Sequence, residues 1–302
     1  MELPSVRQLE CLVAVAETLN FRRAAEACYI TQPALSAQIQ QLERSLGMQL
    51  FERDRRSVLP TPCGSALAER AEAILADLRD FAEGASAFRT PLSGVLKLGL
   101  IPTVAPYVLP RALTAVRRGY PDLRLLLREE QTERLIDQLL CGELDVLLMA
   151  LEVELHGMET LPLFHDPFLL AVPAAHALAA RKRVSGKDLH GEQVLLLDDG
   201  HCLRDQALAV CDVSGATEFG DFRASSLTTL LQMVAGGLGV TLIPELAVKA
   251  EAGSGRALKV LPFGARGPGR TIGLVWRPSS IRKSEYGLLG DAILKGLGRE
   301  GR

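Results

Sequence analysis

The chain contains no Cys-x-x-Cys pair, no apolar run near the length of a membrane span, and no strong excess of either charge. Each absence removes a class. Without Cys-x-x-Cys spacing, a zinc ribbon or a thioredoxin-like redox site is disfavoured. A bilayer-crossing helix needs about 20 predominantly apolar residues, so no membrane partner is expected. The opening MELPSVRQLECLVAVAE carries acids and lacks a basic start followed by an apolar stretch. No signal peptide is read there, and the expected location is cytoplasmic. A net charge of −2 excludes a uniformly basic protein. Internal repeats and low-complexity segments are absent as well. The six cysteines are Cys11, Cys28, Cys63, Cys141, Cys202 and Cys211. In a reducing compartment each is a free thiol by default, so any disulfide would be transient and regulatory.

What is present fits two or three compact units: 302 residues of ordinary soluble composition, 48% hydrophobic and 23% charged. Residues 1–90 read as almost wholly helical. From TPLSGVLKLGLIPT onward, β-type runs such as GVLKLGLI, LDVLLMA, PFLLAVP, QVLLLDD and RTIGLVWR alternate with helical stretches. That alternation predicts α/β architecture with mostly parallel sheets. The boundary falls near Thr90–Gly94, where Pro and Gly interrupt the helical pattern.

Within the helical part, a helix around Arg22–Cys28 is followed by the break Tyr29-Ile30-Thr31. Thr31 can cap the next helix, Pro33 is tolerated in its first turn, and Gly47 can end it. Leu35, Ile39, Leu42 and Leu46 share one face, while Gln32, Ser36, Gln38, Gln40 and Gln41 lie outside. Two helices joined by a tight turn, the second with a polar face, form a helix-turn-helix pattern. Its second helix would enter the major groove. Arg22 on the first helix joins this set. Arg53, Arg55 and Arg56 then precede a turn and read as a wing whose arginines meet phosphates. The plain alternative is a helical hairpin with a solvated face. Only the window 18–64 tips positive, with six arginines against four acids, so DNA contact must use a local patch. Next, Leu67, Ala71, Ile74, Leu78, Phe81 and Ala85 are spaced 4-3-4-3-4. This is the a/d seam of a long dimerising helix rather than the wider stripe of a core helix.

FRRAAE, TQPALSAQIQQLE, LGMQLFER and TPCG resemble the winged helix-turn-helix and linker helix of LysR-type transcriptional regulators. The resemblance implies a DNA-binding domain over 1–62, a linker helix over 63–90 and a regulatory domain over 91–302. The last would be a periplasmic-binding-protein-like module of two α/β subdomains, I at about 91–164 with 268–302 and II at about 165–267. Ligand or reactive sites would lie between them.

The segment DDGHCLRDQALAVCD holds Cys202 and Cys211. From the residues alone, three readings stay open: two packed thiols, two ligands of a metal shared with His201, or a reactive pair. The strand-like LLLDD ends in a turn at Gly200, and a helix begins at Cys202. A helix N-terminus favours a thiolate. Arg204 would add positive charge if turned inward, and otherwise pairs with Asp205 at the surface. His201 would donate to an oxidant, or simply cap the turn. In a helix, nine steps separate the two Cα atoms by about 13–14 Å, whereas a disulfide needs about 7 Å or less. Bonding the pair must therefore refold the segment.

GLIPTVAPYVLP, DDGHCLRDQA with the following Cys211, TLLQMVAGGLGVTLIP and RTIGLVWRP are similar to the peroxide-sensing members of the family. That resemblance implies Cys202 as the peroxidatic and Cys211 as the resolving cysteine. It implies Thr103, Thr132 and His201 as hydrogen-bonding partners of the peroxide. Arg270 would stabilise the thiolate and polarise the O–O bond. Without it, Thr103 and Thr132 read as strand-end or cap residues and Arg270 as a surface strand residue. Cys11, Cys28, Cys63 and Cys141 read as packed thiols. The expectation is a regulator, not an enzyme, with no cofactor and no metal. Its partners would be promoter duplex DNA, further copies in a homotetramer (a dimer of dimers), RNA polymerase, hydrogen peroxide as signal, and a thiol reductant such as glutaredoxin or thioredoxin. The alternative is a LysR-type regulator whose cleft binds a small metabolite and whose cysteines are incidental.

Overall fold

A computed structural model of the chain describes residues 3–53, 58–87, 90–252, 257–264 and 267–299. It divides into two compact units, Met1–Ala85 with Leu140–Glu143, and Ser86–Leu139 with Leu144–Arg302.

In the first unit, Ser5 and Gln8 form a reciprocal capping box that starts α1 (Val6–Thr18). Asn20 caps α2 (Phe21–Ala27) by accepting from Arg22 N and Arg23 N. Thr31 Oγ1 accepts from Ala34 N at 3.4 Å and starts α3 (Gln32–Leu46), which Gly47 ends at φ +71°. Leu35, Ile39 and Leu42 are buried in one core with Leu12, Val15 and Ala24. On the other side Arg22, Thr31, Gln32 and Pro33 are exposed, while Ser36 and Gln38 are half-buried. An antiparallel pair follows, β1 (Phe51–Arg53) and β2 (Val58–Pro60). Arg55 and Arg56, expected on this wing, lie outside the described residues, as does the side chain of Arg53.

The long helix α4 (Pro62–Ala87) departs from an unbroken seam. Ala71 is buried in the core of its own unit and Leu67 packs against that core. Further along, Ile74, Leu78 and Phe81 stand 44%, 42% and 77% exposed. The first part of the stripe therefore serves the domain, and only the later part offers uncovered apolar surface. The side chain of Ala85 lies outside the described residues.

The second unit contains β3 (Gly94–Leu100), α5 (Ala105–Gly119), β4 (Leu123–Glu129), α6 (Thr132–Leu140) and β5 (Val146–Ala150). The long strand β6 (Glu159–Pro173) follows, then β7 (Gln193–Leu197), α7 (Cys202–Ser214), β8 (Thr217–Ala224) and α8 (Leu227–Ala235). β9 (Thr241–Pro244), α9 (Glu245–Glu251), β10 (Leu258–Pro262), β11 (Gly269–Trp276) and α10 (Lys283–Leu297) complete it. The main sheet runs β10-β6-β11-β5-β3-β4, with β9 also on β6. The first half of β6 pairs with β11 and the second half with β10 and β9. One strand thus belongs to both subdomains.

The sheets are less parallel than the alternation predicts. β3–β4, β3–β5 and β7–β8 are parallel, but β11–β5, β11–β6, β10–β6 and β9–β6 are antiparallel. The reason is topological. β6 carries the chain into the second subdomain and β11 carries it back beside β6, so the two must run in opposite directions.

Two cores result. One gathers Leu98, Leu100, Val108, Leu135, Leu148, Ile272 and Leu289. The other gathers Phe168, Leu170, Leu195, Leu230, Val234 and Ile243. Among the described residues, no helix is long and apolar enough to cross a membrane.

Candidate functional site

The site is built where β7 hands over to α7. Gly200 sits in that turn at φ +86°, a conformation L side chains rarely adopt, and a Cβ there would meet Gln131 Oε1 at 2.8 Å. The turn leans on the start of α6: Thr132 N donates to Gly200 O at 3.3 Å, and Gln131 Nε2 donates to Asp199 O at 3.4 Å. His201 is the N-cap residue of α7, but its side chain makes no capping bond. It is buried, and burial lowers its pKa, against a smaller opposing pull from Asp198. The ring is therefore neutral at pH 7, with one nitrogen able to donate and the other to accept.

Cys202 opens α7, and its side chain belongs to the first core. Leu203, Ala207 and Cys211, on the same helix, belong to the second. The helix packs in one subdomain and inserts its first side chain into the other. Facing that thiol are groups from three other elements. Arg270, fully buried on β11, donates from Nη1 to Thr103 Oγ1 at 2.8 Å and from Nη2 to Thr103 O at 3.0 Å. Its Nε donates to Asp166 Oδ2 at 3.0 Å, and Asp166 Oδ1 accepts from Leu246 N at 3.0 Å. Thr132 Oγ1 is buried without a well-formed partner, yet faces the thiol closely enough to favour its ionised form.

The charge at the thiol is a contest. Burial raises the pKa of Cys202; Arg270 and Thr132 lower it, and Asp205 raises it. Burial prevails, and the net shift is upward. The reactive species is the thiolate, and a raised pKa keeps it a minority at neutral pH. Oxidation of Cys202 by peroxide is therefore expected to accelerate about tenfold per pH unit between pH 6.5 and 8.5, following the thiolate fraction. Timed thiol blocking and mass spectrometry would measure this. A rate flat across that window would instead mean a thiolate already formed.

Arg204 does not serve the cysteine. It is buried, but it donates to Glu218 Oε1 and Oε2 at 2.9 and 3.1 Å and pairs with Asp199 at 2.9 Å. Arg223 joins Asp199 at 2.8 Å. This network ties the start of α7 to β8 and the turn. Asp205 is exposed and is not its partner. The physical reason is that an inward-turned Arg204 meets two carboxylates from elsewhere in the fold. The cation at the thiol comes instead from β11, far along the chain.

Cys211 is buried two and a half turns further along α7, on the opposite face, and burial pushes its thiol up to about 11. With Cys202 and Cys211 at opposite ends of a continuous helix, His201, Cys202 and Cys211 cannot converge on one ion. Two polar residues escaped the sequence reading. Asp166 lies directly opposite Arg270 in the β6–β11 register. Its signal was positional: residues 164, 166, 168 and 170 share the buried face of β6, and only 166 is charged. Gln206, one turn beyond Cys202, keeps both side-chain amide atoms buried without a partner. Buried polar atoms are nearly always satisfied. Thr132, which faces Cys202, and Gln206 are two such exceptions on α6 and α7 beside this turn.

Residues 89–296 match the LysR substrate binding domain, and residues 6–65 match the bacterial regulatory helix-turn-helix protein of the lysR family. The chain belongs to the LysR family. It is thus a regulator with a DNA-binding helix-turn-helix unit and a substrate-binding-type regulatory domain. This LysR-family chain is 46% identical over 295 residues to a probable hydrogen peroxide-inducible genes activator of Streptomyces viridosporus, covering 97% of this chain and 95% of that one. Among solved structures, full-length OxyR carrying a cysteine substitution, from Pseudomonas aeruginosa, matches with a TM-score of 0.76 at 34% identity, covering 97% and 96% of the two chains. A cysteine-to-serine mutant of Corynebacterium glutamicum OxyR with hydrogen peroxide bound matches with a TM-score of 0.68 at 37% identity, covering 98% and 94%.

Proposed function

We propose that this LysR-family regulator senses hydrogen peroxide through reversible formation of a Cys202–Cys211 disulfide and so controls genes of oxidative-stress defence. The observation that carries the reading is the setting of Cys202. It is one buried thiol at a subdomain boundary, facing the Arg270–Thr103 pair and the unsatisfied Thr132 hydroxyl, with a second thiol on the same helix. The relatives named for peroxide induction, and the relative with peroxide bound, support it.

In this mechanism the Cys202 thiolate attacks one peroxide oxygen and the O–O bond breaks. Hydroxide leaves and takes up a proton to become water. Arg270 stabilises first the thiolate and then the developing oxyanion, while Thr103, Thr132 and neutral His201 orient the peroxide. The product is a sulfenic acid at Cys202. The Cys211 sulfur attacks it, loses its proton, and a second water departs. Two thiols are oxidised by two electrons, and one peroxide is reduced to two waters. A thiol reductant such as glutaredoxin or thioredoxin resets the pair. The chemistry is stoichiometric signalling rather than turnover. Arg22, Thr31, Gln32, Pro33, Ser36, Gln38 and the wing arginines Arg53, Arg55 and Arg56 contact the promoter duplex. Ile74, Leu78 and Phe81 pair two α4 helices, with Leu67 and Ala71 at the root of the seam, and dimers associate into a tetramer. Oxidation changes the regulatory-domain surface and the spacing of the DNA-binding dimers, and with it recruitment of RNA polymerase.

One equivalent of peroxide, followed by thiol mapping under non-reducing conditions, is expected to yield a Cys202–Cys211 peptide as the main product. Cys211→Ser should stop at the sulfenic acid, and Cys202→Ser should lose the DNA footprint change altogether. A Cys202→Ser protein that still responds sinks the proposal.

A further inference from the structure

We propose that Cys11 and Cys28 form a second thiol-oxidation site, placed in the DNA-binding unit and acting on it directly. Cys11 lies on α1 and Cys28 is the C-cap of α2, and both are in one apolar core. Cys28 Sγ donates to the carbonyl oxygen of Glu10 at 3.8 Å. That carbonyl belongs to the peptide bond leading into Cys11, so the Cys28 sulfur lies beside the backbone from which the Cys11 side chain starts. The two thiols lie close enough for each to perturb the ionisation of the other.

The surroundings divide the roles. Arg7 donates to the Cys28 carbonyl and pairs with Glu10 at 2.7 Å. Its charge favours a thiolate at both cysteines, against burial, which pushes Cys11 up to about 11 and raises Cys28 as well. Cys11 is 0% exposed and Cys28 8%. The oxidant therefore reaches Cys28 first. A peroxide oxygen transfers to the Cys28 sulfur and water leaves. Cys11 then attacks that sulfenic acid, giving up its proton, and a second water leaves as the S–S bond forms.

Unlike the Cys202–Cys211 pair, these cysteines sit on two packed helices, so no helix has to unwind. A bond of about 2.05 Å is nevertheless shorter than any contact between two thiols, and it draws Cys28 towards α1. The next residue is Tyr29 at φ +55°, a non-glycine in the left-handed region, in the turn that aims α3. Displacement of that turn moves Gln32 and the start of α3, where base edges would be read.

The test uses full-length protein carrying Cys202→Ser and Cys211→Ser, so only the second pair can link. Hydrogen peroxide is added up to about a hundredfold excess. Linked peptides are mapped without reduction, and fluorescence anisotropy follows binding to duplexes selected from random sequence by the reduced protein. A Cys11–Cys28 peptide is expected, with duplex affinity falling about tenfold, the loss of roughly one base contact, and returning on reduction. Cys11→Ala in the same background should give neither the link nor the fall, and should leave a sulfenic acid at Cys28 that dimedone traps. Absence of the linked peptide at the highest dose overturns the proposal, and so does a linked protein of unchanged affinity. Failure of the peroxide-sensing reading would show separately, as a missing Cys202–Cys211 peptide in the wild-type chain.

Discussion

Replacing Arg270 with methionine is expected to destabilise the regulatory unit by about 3–5 kcal/mol and to slow oxidation of Cys202 about a hundredfold. The first effect follows from burial. Arg270 and Asp166 are both 0% exposed and meet at 3.0 Å. Removing the guanidinium leaves a carboxylate in the interior with one backbone donor, from Leu246. For a unit of this size, that loss lowers the melting temperature by about 10 °C. The second effect follows from position. Arg270 is the largest influence favouring the Cys202 thiolate against burial, and it holds Thr103 by two hydrogen bonds.

A paired substitution separates the two roles. Arg270→Met with Asp166→Leu removes both charges at similar volume, and such exchanges are often neutral or stabilising. Thermal stability should largely return, while peroxide reactivity should stay as low as in the single variant. Calorimetry and timed thiol mapping on the same samples decide it. If the double variant reacts at the wild-type rate, Arg270 is a structural residue only.

The second large effect concerns α7. Formation of the Cys202–Cys211 disulfide is expected to abolish this 13-residue helix. Its Cα atoms at 202 and 211 stand about 13–14 Å apart by helical rise, and a disulfide tolerates about 7 Å. Bending cannot absorb the difference over nine residues. Cys202 must also leave the first core, since Cys211 is held in the second. Hydrogen exchange should show amide protection across residues 206–212 falling about a hundredfold or more on oxidation, equivalent to roughly 2.7 kcal/mol of local stability. Helical circular dichroism should fall in step. The Arg204–Glu218–Asp199–Arg223 network must break in part as well, because it anchors the N-terminal turn of α7 to β8. Glu218→Gln weakens that anchor and should make the linked form easier to reach. Retained protection in α7, in a protein proven to carry the disulfide, would contradict the geometry.

Legibility in the sequence followed the range of the interactions involved. The ends of α3 could be read because Thr31 and Gly47 act within one turn. The start of α7 could be read from Gly200, which marks the turn regardless of what surrounds it. β8 could not. Among the described residues it pairs only with β7, most of its side chains are partly exposed, and Gly220 interrupts it, so no alternating pattern develops. The partners of Arg204 are not legible either, because Glu218 and Asp199 are chosen by the packing of β8 against β7 rather than by distance along the chain.

By itself, then, the sequence determined that two cysteines nine positions apart start and nearly end one helix. It also determined that linking them and keeping that helix are mutually exclusive, since helical rise depends only on residue count. What surrounds the first of those cysteines was decided only in three dimensions. β6 and β11 run side by side in opposite directions between the subdomains, and that register sets Arg270 against Asp166. The pairing in turn presents a buried cation to Thr103 and Cys202. Electrostatics at a thiol acts through a few ångströms of space, and residues 103, 166, 202 and 270 become neighbours only when both subdomains have folded.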